Sequence, residues 1–210
     1  MTKIKLVIFD FDGTIADTFK FGVKISNSLA PKFKYNLITE DTEEHYRGKS
    51  AQEILKEAGI SFFKLPFVAT RFQIEFSKVI NELLPCEGII DVINSLKDKY
   101  ELGIITSNSG KNVDRFLENH KLTNIFSFII SNKKLFGKAK TFKKIIKEKK
   151  INTEEVIYIG DESRDIEAAK KNNVKIISVS WGFNTYNLLE KYKPDFLISD
   201  AKEILKIIEG

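Results

Sequence analysis

Short apolar runs alternate with amphipathic stretches along most of the chain, and the alternation breaks once. Runs of strand character lie at 5–9, 101–106, 126–130, 156–159, 175–179 and 196–198. Between and after them, helical spacing holds at 89–97, 113–118, 141–149, 165–171, 187–191 and 202–208. Strands that alternate with helices predict a parallel sheet covered on both faces, an α/β fold. From 18 to 85 no buried strand is legible. There Val23, Leu29, Ile54, Leu55, Phe72, Ile74, Phe76, Val79 and Ile80 recur at spacings of three or four. That period predicts a helical insert after the first strand. No internal repeat and no low-complexity linker interrupts the pattern.

Composition narrows the function more than the fold. A chain of 210 residues is long enough for one large domain, or a domain with an insert, and needs no staples. Its single cysteine, Cys86, excludes an intramolecular disulfide, suits a reducing cytoplasm and reads as a small core residue. Asp10 and Asp12 interrupt the only N-terminal apolar stretch, so no signal peptide is expected. No apolar run approaches the ~20 residues that a membrane span needs. The net charge of +5 raises the question of nucleic acid. The lysines, however, are spread over helix faces, as at Lys143, Lys144, Lys147, Lys149 and Lys150. The 17 phenylalanines sit in apolar patterns rather than beside arginines. A basic surface that draws in small anions is the simpler expectation, with neither nucleic acid nor membrane as partner.

The chemistry concentrates where strands end. Leu6-Val7-Ile8-Phe9-Asp10-Phe11-Asp12-Gly13-Thr14 is an apolar run that stops on two carboxylates. Open α/β sheets bind ligands at this end of a strand. Two close acids repel unless a cation lies between them or one keeps a proton. Asp-Gly is also an ordinary turn pair, but a turn accounts for one aspartate and not for Asp10. Val156-Ile157-Tyr158-Ile159-Gly160-Asp161 repeats the logic, with Asp165 four residues on. A helix starting near Glu162 makes Asp161 its expected N-cap and turns Asp165 toward the same mouth. Two acidic strand ends suit Mg²⁺, which takes oxygen ligands and keeps room for substrate phosphate. The strand at 101–106 runs into Thr106-Ser107-Asn108-Ser109-Gly110, side chains and amides fit to hold phosphate oxygens, though also an ordinary loop. In Leu135-Phe136-Gly137-Lys138-Ala139-Lys140-Thr141 a lysine opens a helix, at the end where cations are disfavoured. A phosphate or a carboxylate pair would satisfy it. All four segments fall at the carboxyl ends of predicted strands, which points to one shared site.

With these residues in view, the chain resembles the haloacid dehalogenase superfamily of aspartate-nucleophile phosphohydrolases. Four motifs match in order: Asp10-Phe11-Asp12-Gly13-Thr14, Thr106, Lys138, and Gly160-Asp161 with Asp165. The branch it looks most like holds phosphoglycolate phosphatases and β-phosphoglucomutases. Many relatives carry a proline after the motif lysine; here Lys138 is the expected match and Lys140 the reserve. The resemblance implies a Rossmann-like core from 1–17 and 86–210 and a helical cap from 18–85. Hinges would lie near 15–18 and 84–88, where Pro85 and Gly88 punctuate the chain. It also implies Asp10 as nucleophile and Asp12 as acid and base, with Thr106 and Lys138 holding the phosphoryl group. Mg²⁺ would sit among Asp10, Asp12 through its backbone carbonyl, Asp161 and Asp165, with Asp165 binding directly, through water, or by orienting Lys138. Thr14, Ser107 and Asn108 are the expected substrate contacts from the core.

In the insert, Gly48-Lys49-Ser50 suggests a phosphate-binding P-loop, but that motif requires a glycine where Glu43 stands. Arg47 and Lys49 are instead expected to meet an anionic substrate from the cap side, with a polar turn as the plainer alternative. His45 has no evident partner, and His120 suits a helix end. The implied reaction is hydrolysis of a small phosphorylated metabolite by a monomer or homodimer. A phosphomutase is the alternative, and a receiver-type signalling domain is disfavoured by the Asp-x-Asp spacing and the large insert. Retention of an acid at Asp12 argues against dehalogenation, since relatives that break carbon–halogen bonds lack it.

Overall fold

The computed structural model describes residues 3–60, 63–132 and 137–210. Its frame is a six-stranded parallel sheet in the order β3-β2-β1-β4-β5-β6. The strands are β1 (Leu6–Phe9), β2 (Glu101–Thr106), β3 (Phe128–Ser131), β4 (Val156–Gly160), β5 (Lys175–Val179) and β6 (Phe196–Ile198). The central strand shows why the pattern reads as a continuous apolar run. Every residue of β1 is buried, because parallel strands are covered on both faces. Side chains alternate across the sheet, so Val7 and Phe9 enter one core and Leu6 and Ile8 the other.

The first core is closed by α5 (Ile89–Leu96), α6 (Gly110–Asn119) and α10 (Glu203–Glu209). The second is closed mainly by α7 (Lys138–Lys149) and α8 (Ser163–Lys170), with Leu189 of α9 (Tyr186–Lys191). β1 pairs with β2 on one side and β4 on the other, Val7 lying opposite both Leu102 and Ile157. The chain winds outward to β3, then returns past β1 to build β4–β6. The reversal opens a crevice at the carboxyl ends of β1 and β4, the topological switch point where such sheets bind ligands.

Between β1 and α5 comes the helical insert: α1 (Phe19–Phe33), α2 (Glu40–Arg47), α3 (Ala51–Glu57), α4 (Leu65–Val79) and a 3₁₀ turn, Ile80–Glu82. Its buried side chains include Ile25, Leu29, Phe76 and Ile80, whereas Ile74, expected on the packed face, is 43% exposed. The two linkers run side by side. Asp17 N–H donates to the Leu84 carbonyl at 2.9 Å, and Cys86 N–H donates to the Ile15 carbonyl at 2.8 Å.

Several boundaries move for identifiable reasons. β3 begins at Phe128, because Phe126 packs edge-on against the Phe9 ring from the loop before it. Helix α8 begins one residue later than expected, and its cap is Glu162, not Asp161. Glu162 forms a capping box with Asp165, which leaves the Asp161 carboxylate for the site. His45 does have a partner: its Nε2 lies 2.7 Å from Glu57. His120 is the C-cap of α6, and its Nε2 meets the Leu83 carbonyl at 3.0 Å. Cys86 is buried, and burial pushes its thiol pKa far up. Among the described residues no helix is long and apolar enough to cross a membrane.

Candidate active site

Asp10 leaves the end of β1 with its backbone tied to β4 through the Ile159 carbonyl, 2.8 Å from its N–H. The Phe11 N–H donates to Oδ1 at 2.8 Å, and Lys138 Nζ donates to Oδ2 at 2.5 Å. Lys138 is itself buried, and it also reaches Asp165 Oδ1 at 2.6 Å and the Tyr158 hydroxyl at 2.9 Å. A lysine at the first residue of α7 is thus satisfied by carboxylates rather than by solvent, whereas Lys140 is exposed. Leu135 and Phe136, which open this motif, lie outside the described residues.

Asp12 is only partly buried and turns toward the loop after β2. Asn108 Nδ2 donates to its Oδ1 at 2.9 Å, and the Thr106 hydroxyl lies 3.5 Å from its Oδ2. Asn108 is in turn held through Oδ1 by Ser109 N–H and Asn112 Nδ2. The loop therefore orients a carboxylate that keeps some contact with water. The Ser107 hydroxyl accepts from Arg164 Nη1 at 3.3 Å, and Arg164 also pairs with Glu162.

Asp161 is fully buried at the end of β4. Its Oδ1 accepts from the Thr14 hydroxyl at 3.0 Å and its Oδ2 from Phe183 N–H at 2.7 Å. Thr14 is equally buried, so its hydroxyl is directed to Asp161 in this arrangement. Gly13, at φ +72°, comes so close that a Cβ there would lie 2.2 Å from Asp161 Oδ2, and a Cβ on Gly182 would lie 2.3 Å from the same atom. Glycine backbone thus wraps the carboxylate from two sides.

Asp10, Asp161 and Asp165 offer carboxylate oxygens that all lie within 4.8 Å of one another. Burial, opposed by Lys138, raises the Asp10 pKa to about 7. Burial, opposed by the Asn108 hydrogen bond, raises Asp12 to about 6. Asp161 lies well above its ordinary value through burial, with Glu162, Asp10 and Asp165 adding repulsion. Burial works against the Lys138 ammonium, but Asp10 and Asp165 outweigh it and hold its pKa above the usual value. A dry cluster of three acids with hard oxygen donors fits a small divalent cation such as Mg²⁺, which would favour their ionised forms.

From the insert, the last residue of α2 and the turn after it reach the same rim. Arg47 Nε and Nη2 donate to the carbonyls of Phe183 and Gly182 at 3.1 and 3.0 Å, and the guanidinium lies over the Phe19 ring. Lys49 pairs with Glu57. Sequence reasoning overlooked the loop after β5, Ser180-Trp181-Gly182-Phe183-Asn184-Thr185, which meets both Asp161 and Arg47. Its signal was available: a glycine and an amide at another strand's carboxyl end. Tyr158 was overlooked too, the one hydroxyl-bearing residue in an otherwise apolar strand.

The chain is similar to known proteins along nearly its whole length. The family model described as haloacid dehalogenase-like hydrolase matches residues 7–179. The phosphoglycolate phosphatase of Synechococcus elongatus is 30% identical over 206 residues, covering 98% of this chain and 97% of that one. The pyrophosphatase PpaX of Bacillus mycoides is 23% identical, covering 98% of this chain and 97% of its own. A crystal structure described as a predicted phosphatase from Clostridium acetobutylicum superposes with a TM-score of 0.85 at 23% identity, over 99% of each chain. With motif order, sheet topology and full-length similarity in agreement, the chain belongs to the haloacid dehalogenase-like hydrolase family.

Proposed function

We propose that the chain is a Mg²⁺-dependent phosphatase that hydrolyses a small phosphorylated metabolite through an aspartyl-phosphate on Asp10. The observation that carries this reading is the pairing of two differently placed acids. Asp10 is dry and ion-paired, fit to attack phosphorus; Asp12 is partly wet and hydrogen-bonded, fit to move protons. Attack by Asp10 splits a slow hydrolysis into two easier displacements. Asp12 gives a proton to the leaving oxygen and then takes one from the water that cleaves the acyl phosphate. Thr106, Ser107 and Asn108 hold oxygens of the phosphoryl group, and Lys138 offsets its charge. Asp10, Asp161 and Asp165 hold the cation, with the Asp12 backbone carbonyl as the family resemblance implies. When bound, Mg²⁺ cancels the repulsion between acids and phosphate and clamps the transferring group.

The insert, 18–85, serves as a cap over a core made of 1–17 and 86–210. The paired linkers at Ile15–Asp17 and Leu84–Cys86 form its hinge. The names of the relatives support hydrolysis over the phosphomutase alternative. Phosphoglycolate and pyrophosphate, the substrates those names carry, share a second anionic group close to the phosphate. Arg47 and Lys49 would meet such a group only by exchanging the partners they hold here.

Phosphate release from 2-phosphoglycolate, pyrophosphate, sugar phosphates and p-nitrophenyl phosphate tests the reading. Release should require Mg²⁺ and stop in excess chelator. Protein quenched in acid during turnover should carry labelled phosphate that hydroxylamine removes, and Asp10→Asn should carry none. Undiminished turnover by Asp10→Asn, or in excess chelator, would overturn the proposal.

A further inference from the structure

We infer that Asn184 is a positioning residue that fastens the cap to the strand ends of the site, so that docking of the cap and seating of Asp161 form a single event. The inference rests on the reading of 18–85 as a cap and of Asp161 as a metal ligand. Asn184 is 1% exposed and fully engaged. Its Oδ1 accepts from Ser163 N–H, at the start of α8, at 2.8 Å. Its Nδ2 donates to two carbonyls of the insert, Arg47 and Lys49, both at 3.1 Å. Its own N–H donates to the Asp161 carbonyl at 3.3 Å. The partners fix the orientation of the amide, since Ser163 offers a hydrogen and the two carbonyls offer none. A side chain of this size must both accept and donate to make these bonds. Aspartate would set a carboxylate against two carbonyl oxygens, and leucine would take from Ser163 N–H and the Lys49 carbonyl the partner they have here, leaving the Arg47 carbonyl with Thr185 N–H alone.

A second set of contacts runs through the same loop. Arg47 donates to the carbonyls of Gly182 and Phe183, and its own carbonyl accepts from Thr185 N–H at 3.1 Å. Phe19 of α1 meets the Phe183 ring edge-on, with centroids 5.5 Å apart. On its other side the loop presents Phe183 N–H to Asp161 Oδ2 at 2.7 Å. One peptide unit, Gly182–Phe183, therefore gives its carbonyl to the cap and its N–H to the carboxylate. Lifting the cap about the linkers removes the partners of that carbonyl and of both Asn184 hydrogens. The loop then keeps its contacts with Ser163 and the Asp161 carbonyl but loses those with the insert, so the Phe183 N–H is held less firmly against the Asp161 carboxylate. Groups that orient metal ligands typically change metal affinity 10–100-fold when removed. Because coupling between two events is reciprocal, Mg²⁺ binding must also favour the docked cap.

The test uses the full chain without substrate, so any substrate contact by Arg47 does not enter. Mg²⁺ affinity is read by calorimetry and cap docking by hydrogen exchange at 47–50 and 182–185. In the wild type, Mg²⁺ should slow exchange in both segments. Asn184→Ala and Arg47→Ala should each speed that exchange and weaken Mg²⁺ about tenfold. The double variant should be scarcely weaker than either single one, because the cap is already released. Arg47 lies outside the hydrophobic core, so Arg47→Ala keeps the test valid if Asn184→Ala fails to fold. Wild-type Mg²⁺ affinity in Arg47→Ala, with exchange showing the cap turn released, would overturn the coupling while leaving the phosphatase reading intact. Unchanged exchange at 47–50 when Mg²⁺ binds the wild type would also overturn it. A wild type that binds no Mg²⁺ would sink the metal reading and this inference with it.

Discussion

Lys138 directs its ammonium hydrogens to three buried groups: Asp10, Asp165 and the Tyr158 hydroxyl. The carboxylates supply charge, and the hydroxyl supplies direction, since it also donates to Asp165 Oδ1 at 3.2 Å. Removing the lysine and removing the hydroxyl should therefore differ in kind. Lys138→Ala leaves buried acids without their counter-charge, a loss on the order of 3–5 kcal/mol in the metal-free protein, and turnover should vanish. Tyr158→Phe leaves both carboxylates in place. One hydrogen bond to a charged group is at stake, roughly 1.5–3 kcal/mol, much of it shared by ground and transition states. A three- to tenfold fall in kcat, about 1 kcal/mol, with a loss of stability smaller than that of Lys138→Ala is expected. Equal damage from both variants in a thermal melt would refute the distinction.

Asp12 offers a second test at this scale. Its carboxyl ionises at 3.8 ordinarily and at about 6 in the fold, because burial disfavours the charge. Between those values the folded protein keeps a proton that the unfolded chain has lost. The associated stability is whole below about pH 4 and is lost as pH rises through about 6. Asp12→Asn has no such charge to bury and keeps an acceptor for Asn108. In chelator, its stability relative to wild type should climb from pH 4 to 6 by on the order of 2–3 kcal/mol and level off above. A difference that stays flat across that range in denaturant titrations would show that Asp12 is not burdened by burial.

At the scale of elements, the close approach of glycine backbone to Asp161 sets a steric prediction. Gly182 does not need a left-handed conformation, so Gly182→Ala adds one methyl and little backbone strain. That methyl would lie 2.3 Å from a buried carboxylate oxygen and must displace it. The Mg²⁺ concentration for half-maximal activity should rise tenfold or more, and a normal value would mean that Asp161 is not a ligand. This loop also marks the limit of what the sequence discloses. The strands were legible because a parallel sheet buries both faces and leaves nearly unbroken apolar runs, as in Leu6–Phe9. The acids at Asp10, Asp161 and Asp165 were legible because strand ends in one direction converge. The loop at 180–185 was less so: Gly182 and Asn184 mark it by residue type, but Gly182 and Phe183 act through a backbone carbonyl and N–H, which no residue type announces. The same holds for the cap of α8: Glu162 and Asp161 are both acidic neighbours of a helix start, and only the capping box with Asp165 tells them apart. Ile74 fits a helical period yet faces outward, since the stripe packed against α1 runs through Phe72 and Phe76 instead.

At the scale of the whole molecule, the site is a junction. β1 and β4 bring Asp10 and Asp161, α7 brings Lys138, α8 brings Asp165, and the loop after β5 ties them to the insert. Without a cation, this junction concentrates like charges in a dry place, and burial raises the pKa of Asp161 well above normal. The metal-free fold is therefore strained where its parts meet, and a bound cation should relieve it. A ligand at one hundred times its dissociation constant stabilises a fold by about 2.7 kcal/mol. For a chain of this length that corresponds to a rise in Tm of roughly 5–10 °C. Asp161→Asn should reverse the order. In chelator at pH 7.5 it should melt above the wild type, because it removes a crowded charge while an amide oxygen still accepts from Phe183 N–H. In saturating Mg²⁺ it should melt below, having lost a ligand. Crossing melting curves would tie the cost of the empty cluster and the gain from the cation to one carboxylate. Parallel curves, with the same Mg²⁺ shift in both proteins, would place the cation elsewhere.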